Sequence, residues 1–83
     1  MDRELEQYYE ELFALFARPG WKHLIEELQK GRAIYDDISS IQNEAELRIR
    51  QGRVMEIDFI TSFPEYVQNA FEQMQEGDED ENV

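Results

Sequence analysis

The fold is decided by residues 20–62, which read GWKHLIEELQKGRAIYDDISSIQNEAELRIRQGRVMEIDFITS. In the first part, Trp, Leu, Leu, Gly, Tyr and Ile recur in alternating steps of three and four, at positions 21, 24, 28, 31, 35 and 38. This spacing predicts a helix over 20–38 with a heptad-like apolar stripe. Residues 39–43 have turn character. Asn43, followed three residues later by Glu46, predicts the N-terminal cap of a helix over 44–62. The two helices should form an antiparallel hairpin.

Two glycines lie at matched distances from this turn. Gly31 comes ten residues before Ile41 and Gly52 comes eleven after it. Glycine costs a helix interior about 1 kcal/mol relative to alanine, so the pair suggests a close crossing of the two helices. The alternative is that each glycine is a local kink or a tolerated defect.

Further helices should flank the hairpin. Residues 2–17 carry apolar side chains at helical spacing, and Pro19 with Gly20 ends that segment. Pro64 predicts a break and the first turn of a fourth helix over 64–76, which Gly77 would end. We therefore expect an all-α protein, a small bundle of three to four helices in one domain over residues 1–76. Residues 77–83 should be a mobile acidic tail, since they contain too little apolar area to order.

Composition excludes several classes of protein. The 83 residues include no cysteine, so neither a disulfide framework nor a Cys-type zinc site is expected. No apolar run approaches the roughly 20 residues that span a bilayer, and we expect no membrane association. The opening MDRELEQYYEEL is acidic and polar, unlike a secretory signal.

Charge is strongly negative and uneven. There are 20 acidic and 8 basic residues, a formal charge of −12, and the stretch 54–83 has nine acids and no base. Such charge opposes binding to nucleic acid or to an anionic membrane. The bases cluster in residues 18–53, where they either pair with glutamates on helix surfaces or form a local basic face.

No catalytic or metal-binding constellation stands out. His23 is the only histidine, and with Glu26 it supplies one His-x-x-Glu pair, whereas a dinuclear carboxylate site needs paired Glu-x-x-His motifs. Adjacent carboxylates on a helix point about 100° apart, so one of each pair should face water. No nucleophile elbow or phosphate loop is present. We expect a non-enzyme with no catalytic residue, no metal and no cofactor.

The most promising interaction residues surround the first break. Leu12, Phe13, Phe16 and Trp21 bring large apolar side chains to either side of a Pro-Gly step. Aromatic residues often anchor protein interfaces, so these four are the candidate partner-binding residues. The alternative is that Trp21 and its neighbours pack within the chain as core.

Several short motifs resemble those of a family. The string FARPGWK at 16–22, Gln51-Gly52-Arg53 and Phe63-Pro64 resemble a set of small helical proteins from tailed bacteriophages. The resemblance covers about residues 12–72 and leaves out the acidic tail. It implies a phage accessory protein without assigned activity or cofactor, located in the host cytoplasm during infection or in the virion.

Three functions follow as hypotheses. The first is a phage structural or assembly protein, a virion component or morphogenesis helper, which contacts a capsid, portal or tail component or a second copy of itself. The second is an acidic inhibitor that mimics nucleic acid and occupies a basic groove of a host enzyme. The third, which the overall charge opposes, is a nucleic-acid binder that uses a set of five cations: Lys30, Arg32, Arg48, Arg50 and Arg53.

Overall fold

The protein is described here by a computed structural model that covers residues 1–81, with side chains over residues 1–77. Three α-helices follow in order: α1 (Arg3–Phe16), α2 (Pro19–Tyr35) and α3 (Glu44–Glu81). A 3₁₀ turn over Ile38–Ser40 lies between α2 and α3. The described part of the chain is 88% helical and has no strand, which confirms the all-α prediction.

Local sequence signals set the starts of these helices. The Asp2 carboxylate accepts a hydrogen bond from the Leu5 N–H at 2.8 Å and caps α1. Pro19 is the first residue of α2, where its missing N–H costs nothing. The Asn43 side chain accepts from the Glu46 N–H at 2.8 Å, and the Glu46 carboxylate in turn accepts from the Gln42 N–H. The predicted cap of the helix after the turn is therefore confirmed.

The helices form a layer two helices wide. α1 and α2 lie end to end along α3, and both run antiparallel to it. Tyr9 of α1 contacts Phe71, the Phe16 ring lies 5.9 Å from that of Phe63, and Tyr35 of α2 contacts Arg53. At 1.5 Å per residue, the 38 residues of α3 measure about 57 Å. The molecule measures 58 × 28 × 15 Å, so α3 extends along its whole length.

The predicted break at Pro64 is wrong, since α3 continues through this residue and no fourth helix begins there. Packing on both sides of the proline offsets its cost, because Ile57 and Val67 are both buried against the other helices. The hydroxyl of Ser62 donates to the Asp58 carbonyl at 2.6 Å, in the turn that precedes Pro64. The burial of Ile57 and Val67 therefore favours the helical path that the proline alone would interrupt.

The predicted helix end at Gly77 is also wrong, because α3 continues to Glu81. A C-terminal glycine cap needs a left-handed backbone, and no described glycine has a positive φ. The predicted tail, 77–83, thus begins inside the helix, and its last two residues lie outside the described part of the chain. Its mobility stays a prediction.

The close crossing at the two glycines is wrong as well. A Cβ atom built on Gly31 or Gly52 would meet nothing within 4 Å. Long side chains bridge α2 and α3 at this level, where Arg32 pairs with Asp58 and Arg53 donates to Tyr35. The helices are therefore held apart by charged and aromatic groups, and the glycines make no backbone contact.

The helices bury a small core between them. Among the described residues, the buried apolar side chains are Tyr9, Ile57 and Val67. The accessible surface is 6791 Å², whereas a compact monomer of 10.0 kDa exposes about 5,200 Å². Much of the apolar surface of this chain therefore faces solvent.

Candidate protein-interaction surface

An uncharged line of exposed residues runs along α3, half a turn around the helix from the face that meets α1 and α2. We name it the α3 seam, and its positions alternate in steps of three and four. Its large apolar members are strongly exposed: Met55 by 70%, Phe59 by 61% and Tyr66 by 65%. The α3 seam consists of Gly52, Met55, Phe59, Ser62, Tyr66, Asn69 and Gln73. Steps of three and four are the spacing by which one helix packs along another.

The aromatic residues of the α3 seam are connected to the interior through Phe63. The Phe63 ring lies 5.6 Å from that of Phe59 and is stacked at 6.3 Å on that of Tyr66. On its other side, Phe63 meets Phe16 edge to face, and Phe16 lies 5.0 Å from Trp21. Aromatic rings at these centroid distances attract one another, which adds to the free energy gained by burying them. The exposed rings are thus held in place by half-buried ones.

The apolar surface continues toward the turn between α2 and α3. Met55 and Phe59 line a shallow depression with Ile60. Met55 also lines a second groove, whose other apolar members include Ile38, Ile41, Leu47 and Val54. Met55 lines both depressions and so connects the α3 seam with the groove at the turn.

Acidic residues border the α3 seam on one side. Asp58, Glu65 and Glu72 follow each other at intervals of seven, so they share one edge of the helix. Asp58 accepts from the Arg32 guanidinium, 2.7 Å from Nε, and this hydrogen bond lowers the pKa of the Asp58 carboxyl. Glu65 and Glu72 are exposed. The edge therefore presents negative potential beside an uncharged stripe.

The four partner-binding residues predicted from the sequence are half-buried. The structure brings Phe16 and Trp21 together, whereas Phe13 belongs to a separate cluster with Tyr9 and Phe71, 5.4 Å from the Phe71 ring. Leu12 is half-buried on the same helix. These rings pack against their own chain, as the alternative interpretation predicted. Their role in binding a partner stays a prediction.

The five cations of the third hypothesis are engaged within the chain. Three form ion pairs with glutamates, as the pairing alternative predicted: Lys30 with Glu27, Arg48 with Glu44 and Arg50 with Glu46. The other two bridge α2 and α3, since Arg32 pairs with Asp36 and Asp58, and Arg53 donates to the Tyr35 hydroxyl at 2.9 Å. A nucleic acid would have to compete with each of these contacts.

Arg50 fixes the turn that carries the second groove. Its guanidinium donates to the Asp37 carbonyl at 3.0 Å, to the Ser40 hydroxyl at 2.7 Å and to Glu46 at 2.9 Å. The Arg50 side chain is only 18% exposed, and hydrogen bonds that involve a charged group are stronger than neutral ones. The turn is thereby attached to the first part of α3.

Other kinds of site have little support among the described residues. His23 lies 3.9 Å from Glu26 on an exposed face, and no group of three or more His, Asp or Glu side chains in residues 1–77 is arranged to hold a metal ion. None of the helices, as far as they are described, is both long and apolar enough to cross a membrane.

The sequence reasoning missed the α3 seam. The predicted break at Pro64 divided it into segments of four and three positions, each too short to indicate a line that extends over three heptads. Reading the steps of three and four across Pro64 would have revealed the uncharged line from Gly52 to Gln73.

No protein-family model, curated protein or solved structure matches this chain. Its function is therefore inferred from the α3 seam and the charges around it.

Proposed function

We propose that this protein is a non-enzymatic structural or assembly protein that works through protein–protein contacts. The observation that carries the proposal is the α3 seam, an uncharged stripe along α3 in which the large side chains of Met55, Phe59 and Tyr66 are exposed. Exposed patches of this kind mark interaction sites on soluble proteins. The small bundle, built around the antiparallel α2–α3 hairpin, acts as the scaffold that presents this stripe.

The surface area supports an interface. The chain exposes roughly 1,500 Å² more than a compact monomer of its mass. A standard interface takes about 800 Å² from each partner. The excess is therefore larger than the area that one partner contributes to a standard interface.

The biological setting follows from the motifs around Trp21, Gly52 and Pro64. Their resemblance to small helical proteins of tailed bacteriophages makes the protein a virion component or a morphogenesis helper. Its partner is then a capsid, portal or tail protein or a second copy, met in the host cytoplasm during infection or in the virion. In this role Trp21 acts in packing, against Phe16.

Site-specific photo-crosslinking tests the proposal. A photoreactive phenylalanine analogue replaces Phe59 in the α3 seam or, as a control, Ile34, which is 70% exposed on α2. In infected cells, position 59 should crosslink to a phage structural protein or to a second copy, identified by mass spectrometry, and position 34 should not. Crosslinks from position 59 to neither would contradict the proposal.

The acidic mimic of nucleic acid is the second candidate. It is favoured by the edge formed by Asp58, Glu65 and Glu72 and by the absence of any base after Arg53. Against it, Arg32 already pairs with Asp58. A mimic must bind a basic groove with an affinity that falls as salt is added. Binding of a host nucleic-acid enzyme that is insensitive to salt would exclude this role, and loss of binding on removal of 77–83 would place the contact in the acidic tail.

A further inference from the structure

We propose that the α3 seam binds a basic amphipathic α-helix of a partner protein, laid alongside α3. The inference rests on the proposed function and adds the chemistry of the partner. Helix-in-groove binding uses apolar anchors spaced by three and four residues, the spacing of the α3 seam.

The length and the surface shape of the α3 seam suit a partner helix. From Gly52 to Gln73 the α3 seam covers three heptads, or about 32 Å at 1.5 Å per residue. Met55, Phe59 and Tyr66 are large side chains, while Ser62 leaves a space between Phe59 and Tyr66 and Gly52 leaves one before Met55. A partner helix of about 22 residues would place its own apolar side chains in those spaces, as knobs enter holes.

The charges around the α3 seam select the partner. Glu65 and Glu72 lie along one edge, Glu56 lies on the other, and residues 54–77 contain no base. Lys or Arg side chains flanking the apolar stripe of a partner helix would meet these carboxylates. Electrostatic complementarity of this kind raises the association rate and selects among partners.

A second copy fits these charges less well. Each chain carries a charge of −12, so self-association along the α3 seam opposes two acidic surfaces. In an antiparallel pair the edge with Glu65 and Glu72 faces its own copy, and like charges in direct opposition disfavour that arrangement. A parallel pair avoids the direct contact but still brings together two acidic C-terminal halves. A basic helix removes the repulsion in either direction.

Two synthetic helical peptides of 22 residues test the inference. Both carry the same leucines in the apolar stripe, and the flanking positions carry lysine in one and glutamate in the other. Fluorescence anisotropy at physiological salt measures their binding to the full chain. We expect the lysine peptide to bind at least about tenfold more tightly than the glutamate peptide, since several charge pairs differ between the two.

Charge-neutral variants separate specific docking from simple attraction. Phe59→Ser with Tyr66→Ser removes both exposed rings of the α3 seam. The double substitution should weaken binding of the lysine peptide by about tenfold or more. Leu24→Ser with Ile34→Ser removes exposed apolar residues of α2, away from both depressions, and should leave its affinity within about twofold. Circular dichroism confirms that both variants keep their helix content, as expected for exposed positions.

Equal binding of the two peptides, or a lysine peptide that binds the Phe59/Tyr66 variant as well as wild type, would overturn the inference. A protein that is dimeric by light scattering and binds neither peptide would also overturn it, because the α3 seam would then belong to a second copy. That last result leaves the proposed function standing. If neither peptide binds and position 59 forms no crosslinks, both the inferred helical partner and the proposed function are overturned.

Discussion

Replacing Pro64 with alanine should stabilise the protein, which is unusual for a half-buried residue. Proline inside a helix costs about 3 kcal/mol relative to alanine, because an N–H donor is lost and the ring meets the carbonyl four residues earlier. Pro64 is the twenty-first of the 38 residues of α3, well inside the helix. Alanine gives up about two methylenes of a half-buried ring, or roughly 1 kcal/mol. The free energy of unfolding should therefore rise by about 2 kcal/mol.

Urea denaturation followed by far-ultraviolet circular dichroism measures this change. Pro19→Ala is the matched control, since Pro19 is the chain's other proline and occupies the first position of α2. There proline suits the helix, and its replacement should be neutral or destabilise by up to about 1 kcal/mol. If Pro64→Ala behaves like Pro19→Ala, a helix begins at Pro64 in solution and the continuous α3 described above is incorrect.

Four other substitutions, of which Arg48→Ala is a control, test separate contacts by urea denaturation. Phe13→Ala should lower the free energy of unfolding by about 2–3 kcal/mol, which is less than for a fully buried ring. An unchanged stability would indicate that Phe13 serves an interface with a partner and not the core. Arg50→Ala should lower the free energy of unfolding by about 2 kcal/mol, because a largely buried guanidinium and its three hydrogen bonds are lost. Arg48→Ala, at a 75% exposed ion pair, should cost at most about 0.5 kcal/mol, and equal losses would contradict the proposed anchoring of the turn. Asp58→Asn tests how stability depends on pH. The hydrogen bond from Arg32 lowers the pKa of Asp58 in the folded protein below its ordinary 3.8. The wild type should therefore be more stable than the variant above that pH, and this difference should be lost as the pH falls through the pKa of Asp58 in the folded protein. An advantage that persists unchanged at strongly acidic pH would refute this linkage.

Helix starts were predictable because their causes are local. The Asn43 side chain accepts from the N–H of Glu46, and the Glu46 carboxylate accepts from the N–H of Gln42. Both hydrogen bonds lie within one turn, so the spacing of the two residues is sufficient to place the cap. Pro19 acts in the same local way, since its ring restricts the residue before it. Neither signal depends on the rest of the fold.

The course of α3 through Pro64 and Gly77 depends on more distant groups. Proline and glycine lower helix propensity by a few kcal/mol at most, and packing of a neighbour such as Val67 against another helix is comparable in size. Local propensity therefore could not decide between a break and a continuous helix. The α3 seam was missed for the same reason, because its full length of three heptads forms only when α3 is continuous.

The end-to-end placement of α1 and α2 along α3 has a consequence for the order of folding. The contact of Tyr35 with Arg53 joins residues close in the chain, whereas that of Tyr9 with Phe71 joins its two ends. Closing the longer loop costs roughly 1 kcal/mol more in chain entropy. We therefore expect α2 and the first half of α3 to form the folding nucleus and α1 to dock last. By the same reasoning α1 detaches first, so amide protons of α1 should exchange with solvent sooner than those of α2.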